Sequence, residues 1–146
     1  MNIRPLAPSD YPRIYALWQQ TPGMGLNNLD DSPAGIARYL QRNPSTCFAA
    51  VEEGELVGVI LSGHDGRRAF IYHLAVAENF QRRGIGSALL QAALEALRAE
   101  GIHKAALVVM VRNQKGNAFW EKSGFFPRPD LVYRDKVLDE MIRYDI

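Results

Sequence analysis

The eight residues Gln81-Arg82-Arg83-Gly84-Ile85-Gly86-Ser87-Ala88 constrain this chain more than any other stretch. An apolar, β-rich segment, Ala69 to Val76, runs up to them, and a helix-forming run follows to about Glu100. A strand that turns through a basic, glycine-containing loop into a helix start is suited to holding an anion. The first turn of a helix has unpaired N–H groups and the positive end of the macrodipole. Gly84 and Gly86 lack a Cβ, so a phosphate can approach the backbone, while Arg82 and Arg83 add positive charge. The expected ligand is a diphosphate-bearing cofactor held mostly by main chain, along Arg82, Arg83, Gly84, Ile85, Gly86 and Ser87.

Two familiar phosphate loops fit poorly. A dinucleotide fingerprint needs a third glycine three residues after the second, where this chain has Leu89. A Walker A loop needs Gly-Lys-Ser/Thr, and here Ser87 follows Gly86 directly. The pattern that fits is Gln/Arg-x-x-Gly-x-Gly/Ala, set five residues after a strand ending Leu74-Ala75-Val76. That arrangement resembles the cofactor motif of the GNAT superfamily of N-acetyltransferases. The resemblance implies that acetyl-CoA is the cosubstrate, that Leu74, Ala75 and Val76 join the loop in binding it, and that no metal takes part.

A second segment, Asn113 to Phe125, looks like the C-terminal signature of the same superfamily: Asn, six residues, Tyr, then Glu-x-x-Gly-Phe. Asn113 matches the residue whose amide contacts the pantetheine arm, and Glu121 with Gly124-Phe125 match the helix end. The chain departs from the pattern at Trp120, which stands where many members carry a tyrosine that protonates the departing thiolate. An indole N–H donates but is no useful acid. Nor does the strand before Asn113, which reads Val108-Val109-Met110-Val111, offer a carboxylate base.

Direct acetyl transfer to a primary amine in a ternary complex is what the resemblance implies. The amine must lose its proton, and the thioester oxygen needs a donor as it gains charge. A main-chain N–H from Leu74 to Val76, where the strand splays from its neighbour, is the expected donor. His73 is the candidate base because imidazole titrates near neutrality, with a hydrogen-bonded structural histidine as the competing reading. In a regular strand Tyr72 points to the other face, so only one of the pair would line the acceptor side. Tyr133 is a candidate thiolate acid, with packing as its alternative role. A catalytically weak acyl-CoA-binding or regulatory module is the functional alternative to an enzyme.

The 146 residues suit a single domain, 1–146, able to bury a core without disulfides. A formal net charge of +1 gives no global reason to expect nucleic acid or a membrane surface as partner. The lone Cys47 lies in an apolar run, where packing is expected, and suits a reducing compartment. No apolar run reaches the length of a membrane span, so a cytoplasmic location is expected. The acceptor would be a small-molecule or peptide amine. Exposed edges at either end of the sheet leave a homodimer open.

The expected fold is an α/β (α+β) GNAT-like mixed, mostly antiparallel sheet of about seven strands with about four helices and a central βαβ cofactor unit. Strands are expected at 2–6, 46–51, 56–62, 69–76 and 105–111, then at Phe125-Phe126 and 131–138. Helices are expected at about 9–20, 32–43, 85–100 and 114–122, and Thr21 to Asp31 reads as a loop rich in glycine and asparagine.

Overall fold

The structure, a computed structural model, describes residues 1–144. Its elements in chain order are β1 (Asn2–Pro5), α1 (Tyr11–Gln19), β2 (Leu26–Asn27), α2 (Pro33–Arg42), β3 (Phe48–Glu52) and β4 (Glu55–His64). There follow β5 (Ala69–Val76), α3 (Ile85–Ala99), β6 (Ala105–Ala106), α4 (Gln114–Lys122) and β7 (Arg143–Tyr144). Five strands pair in the order β1-β3-β4-β5-β6, and β2 pairs with β7 in a separate ribbon. All main-sheet pairs are antiparallel except β5 with β6, which α3 connects as a βαβ crossover. The expected mixed α/β architecture is therefore present.

Each sheet face carries its own apolar layer. Ile14, Leu17 and Trp18 of α1 and Ile36 and Leu40 of α2 pack on Ala49, Val59 and Leu61. On the opposite face Ile85, Leu89, Leu90 and Ala93 of α3 pack on Ala50, Val57, Ile60 and Ile71. Alternation along β3 and from Gly58 to Leu61 of β4 sends successive side chains to the two layers, and a bulge at Val57, where Ala50 pairs with Gly58 but Val51 with Leu56, puts Val57 on the α3 side as well. Gly58 lets α3 come close, since a Cβ there would lie 3.0 Å from Leu89. α4 joins the α3 side through Phe119 and Trp120.

Helix ends follow the local chemistry. Ser32 caps α2 by accepting from the Gly35 N–H at 3.0 Å, with Pro33 in the first turn. Gly124, at φ 93°, ends α4 in a Schellman turn. There the Phe125 N–H donates to Trp120 O (2.9 Å), the Gly124 N–H donates to Glu121 O (3.1 Å), and the Phe125 and Trp120 rings meet edge to face. Trp120, at the position expected of an acid, is thus part of the packing that closes α4. Asp10 does not cap α1. Its carboxylate instead accepts two hydrogen bonds from Arg4, both 2.8 Å, and one from the Ala7 N–H at 2.9 Å.

The sheet departs from expectation at its C-terminal side. β6 stops at Ala106 rather than continuing to Val111, and no strand forms at Phe125-Phe126 or over 131–138. Pro127 and Pro129 remove two ladder donors, and Arg128 pairs with Asp130 in a local turn. The run Arg134-Asp135-Lys136 also breaks the apolar alternation of the next segment, where Val132 and Leu138 are exposed. The short β7, unanticipated from sequence, pairs with β2.

Candidate active site

β5 and β6 share only two register pairs, Ala69 with Ala105 and Phe70 with Ala106. Beyond them the chain leaves β5, so Ile71 to Val76 has no strand on that edge among the described residues. The expected splay beside Leu74, Ala75 and Val76 is therefore open. At its end the chain turns through 77–84: the Ala77 N–H donates to Val57 O at 2.8 Å, and Gln81 Nε2 donates to Val76 O at 3.1 Å.

The turn enters α3 through two left-handed residues, Arg82 at φ 65° and Gly84 at φ 80°. Glycine adopts that conformation freely, whereas Arg82 is held there at a cost of about 1–3 kcal/mol. Gly84 has open space around it, and no side chain caps α3, unlike α2 and α4. The first turn holds no acidic residue, and the first helical bond runs from the Ala88 N–H to Gly84 O. The leading N–H groups, at Ile85, Gly86 and Ser87, are thus left for an external acceptor. Arg83 stacks over the Phe80 ring at 4.9 Å, which fixes its stem beside the turn. Gly86 does a different job from Gly84: a Cβ there would touch Phe119 at 3.4 Å, so Gly86 seats α4 against α3.

Asn113 closes the other side. Its Oδ1 accepts from the Gly116 N–H at 2.9 Å and caps α4, which leaves Nδ2 to donate elsewhere. A Cβ on Gly116 would lie 2.4 Å from that Nδ2, so the cap requires glycine there. The loop before α2 reaches the same place: Gly23 lies against Asn113 and Gly25 against Met110.

The same loop reaches β5. His73 Nε2 and Asp31 Oδ1 are 2.7 Å apart, with both residues buried, and the Trp18 ring meets the imidazole edge to face at 4.9 Å. Asp31 Oδ2 accepts from the Asn27 N–H at 2.8 Å, and the Tyr11 hydroxyl donates to Asp31 O at 2.6 Å. His73 Nδ1 is buried and has no partner among the described residues.

Tyr72 requires a correction. Ile60 pairs with Leu74 and Ser62 with Ile71, so Leu61 faces both Tyr72 and His73. This bulge abolishes the alternation, and both side chains turn toward the α1–α2 face, Tyr72 onto Tyr39 and His73 onto Trp18. Tyr72 is 56% exposed. Burial first, then the Asp30 carboxylate and the Tyr133 phenol, raise its own phenol above the ordinary value. Tyr133 is itself 66% exposed and lies within electrostatic reach of Tyr72 rather than in the core.

From sequence, Asp30-Asp31 reads as weak evidence for a cationic amine or as helix capping, and the pairing of Asp31 with His73 was not foreseen. A signal was present, because Ser32-Pro33 already supplies the α2 cap and frees the preceding aspartate from that role. Its partner, however, lies 42 residues away.

The mixed α/β sheet thus splits beside a glycine-wound, uncapped helix N-terminus, an arrangement suited to binding an anionic ligand. The sequence matches the Acetyltransferase (GNAT) family over residues 11–125, and the chain belongs to that family of acetyltransferase enzymes. It is 34% identical to Acetyltransferase plu1384 of Photorhabdus laumondii, over 97% of this chain and 92% of that protein. Acetyltransferase SG1711 of Sodalis glossinidius is 30% identical, over 99% and 100%. Among solved structures, AAC(6')-Iy in complex with the bisubstrate analogue CoA-S-monomethyl-acetylneamine superposes with a TM-score of 0.72. That match covers 93% of this chain and 97% of the other, at 18% identity.

Proposed function

We propose that the enzyme moves an acetyl group from acetyl-CoA to a primary amine by direct attack within a ternary complex. The observation that carries this is the α3 N-terminus. It is uncapped, wound by left-handed Arg82 and Gly84, and free of acidic residues, at the mouth of the β5–β6 split. Those features fit a diphosphate. When bound, acetyl-CoA supplies a thioester whose acyl carbon is open to an amine.

The N–H groups of Ile85, Gly86 and Ser87, with Arg82 and Arg83, hold the diphosphate. Leu74, Ala75 and Val76 present their main chain to the pantetheine arm, and one of their N–H groups stabilises charge on the acyl oxygen. Asn113 Nδ2 donates to the arm. His73 Nδ1 takes the proton released as the C–N bond forms, through a bridging water because the atom is buried. Tyr133 or solvent returns a proton to the sulfur. Cys47 is no acyl carrier: it is 1% exposed, and burial pushes its thiol up to about 12, which favours direct attack. The similar structure that carries a coenzyme A–acetylneamine analogue supports an amine as acceptor.

Thermal melts with acetyl-CoA, CoA, ATP and NAD, followed by free-thiol release on a panel of amines, test the proposal. Stabilisation by acetyl-CoA and CoA alone, with thiol release that depends on one amine class, is expected. Absence of any shift with CoA, or binding without turnover on every amine, overturns it.

A further inference from the structure

Resting on the proposal that His73 accepts the amine proton, we infer that Asp31 is a positioning residue. It sets which nitrogen of His73 is bare, and it ties the imidazole's orientation to the loop before α2. A carboxylate oxygen only accepts hydrogen bonds, so at 2.7 Å from Asp31 the hydrogen of the neutral ring sits on Nε2. The lone pair is then on Nδ1, the one ring nitrogen without a partner. In that role Nδ1 takes the proton leaving nitrogen as the C–N bond forms and the C–S electron pair passes to sulfur. The thiolate is then protonated from Tyr133 or solvent.

Asp31 is fixed from three directions. Its Oδ2 accepts from the Asn27 N–H, its carbonyl accepts from the Tyr11 hydroxyl, and the next residue caps α2. Asn27 belongs to β2, whose partner β7 is joined further by the Asn28 N–H to Ile142 O and the Ile142 N–H to Asn28 Oδ1. One carboxylate thus links β2 and the loop before α2 to β5. Trp18, whose Nε1 is also buried without a partner among the described residues, packs on the ring and limits its rotation. This follows the general logic by which a carboxylate behind a histidine selects the tautomer that can act as base.

Asp31→Asn separates this role from a structural one. The amide preserves both hydrogen bonds, with oxygen accepting from Asn27 and nitrogen donating to His73 Nε2. That donation forces the histidine hydrogen onto Nδ1. The variant is expected to fold, to keep its KM and thermal shift for acetyl-CoA, and to lose about 100-fold or more in kcat, the scale of a general base. A merely structural contact predicts kcat unchanged.

The tautomer is read directly from nitrogen-15 correlation spectra of the imidazoles at about pH 9, well above the ordinary imidazole range. Signals are assigned by their loss in His73→Gln. The wild type should show hydrogen on Nε2 and a bare Nδ1, and Asp31→Asn the reverse. Hydrogen on Nδ1 in the wild type, or full kcat in Asp31→Asn, overturns the inference. If the wild type acetylates no amine, the base proposal fails by itself, while the spectra still decide whether Asp31 sets the ring.

Discussion

Ser87 offers a perturbation that separates the α3 N-terminus as a piece of fold from the same turn as a ligand site. The residue is exposed and sits in the first turn of α3, which has no acidic residue. An aspartate there meets the positive end of the helix dipole and should stabilise the free protein by about 0.3–1 kcal/mol. The same charge faces a diphosphate held on the leading N–H groups. Two negative charges roughly 4 Å away cost about 2 kcal/mol together in a water-like dielectric. That corresponds to roughly 30-fold in Kd. At a CoA concentration 100 times the wild-type Kd, the ligand adds about 2.7 kcal/mol to the wild type and about 0.9 kcal/mol to Ser87→Asp. Melting shifts of about 5–10 °C and about 2–4 °C follow for a chain of this size. Ser87→Lys should reverse both signs, and the two variants should converge near 1 M salt, where the Debye length is about 3 Å. A CoA shift equal in wild type and Ser87→Asp would refute the placement of the diphosphate on α3, whatever happened to the free protein.

Two further substitutions probe the other side of the cleft and the fold's electrostatics. Gly116→Ala gains about 1 kcal/mol of helix propensity, but its Cβ would lie 2.4 Å from Asn113 Nδ2 and expel the cap, worth about 1 kcal/mol. Its melting temperature should therefore stay close to wild type while the KM for acetyl-CoA rises about 2–10-fold, the scale of one lost hydrogen bond. Steady-state kinetics check this. The Arg4 guanidinium, hydrogen-bonded to Asp10, is the main reason that carboxyl is held below its usual range. Because the folded value is the lower one, the stabilisation is full above about pH 4 and is lost as pH falls through the folded value. Asp10→Asn should cost about 2–3 kcal/mol near neutrality, and denaturant titrations should show that deficit shrinking as pH falls through the acid range.

The parts of this protein that were legible in the sequence are those fixed by neighbours a few residues away. The α3 start is one: glycines at 84 and 86, the arginines before them and the apolar spacing that follows are all local signals. The Ser32 cap and the Gly124 helix end are others. Asn113 was also visible, yet its oxygen is spent on capping α4, a role that an Asn three residues before a glycine announces as clearly as a ligand contact. What stayed hidden depends on partners brought together only by the sheet. Whether 131–138 forms a strand rests on an edge that β6 ends too early to provide. The alternation rule that separated Tyr72 from His73 holds only while β4 and β5 advance in step. The extra residue in β5 opposite Leu61 is set by the pairing of two strands and leaves no mark in either sequence alone. Asp31 meets His73 across 42 residues for the same reason. Local rules fail together at Asp31, Tyr72 and His73, beside an open strand edge, which is where a site that must bend the regular pattern to present side chains is expected to lie.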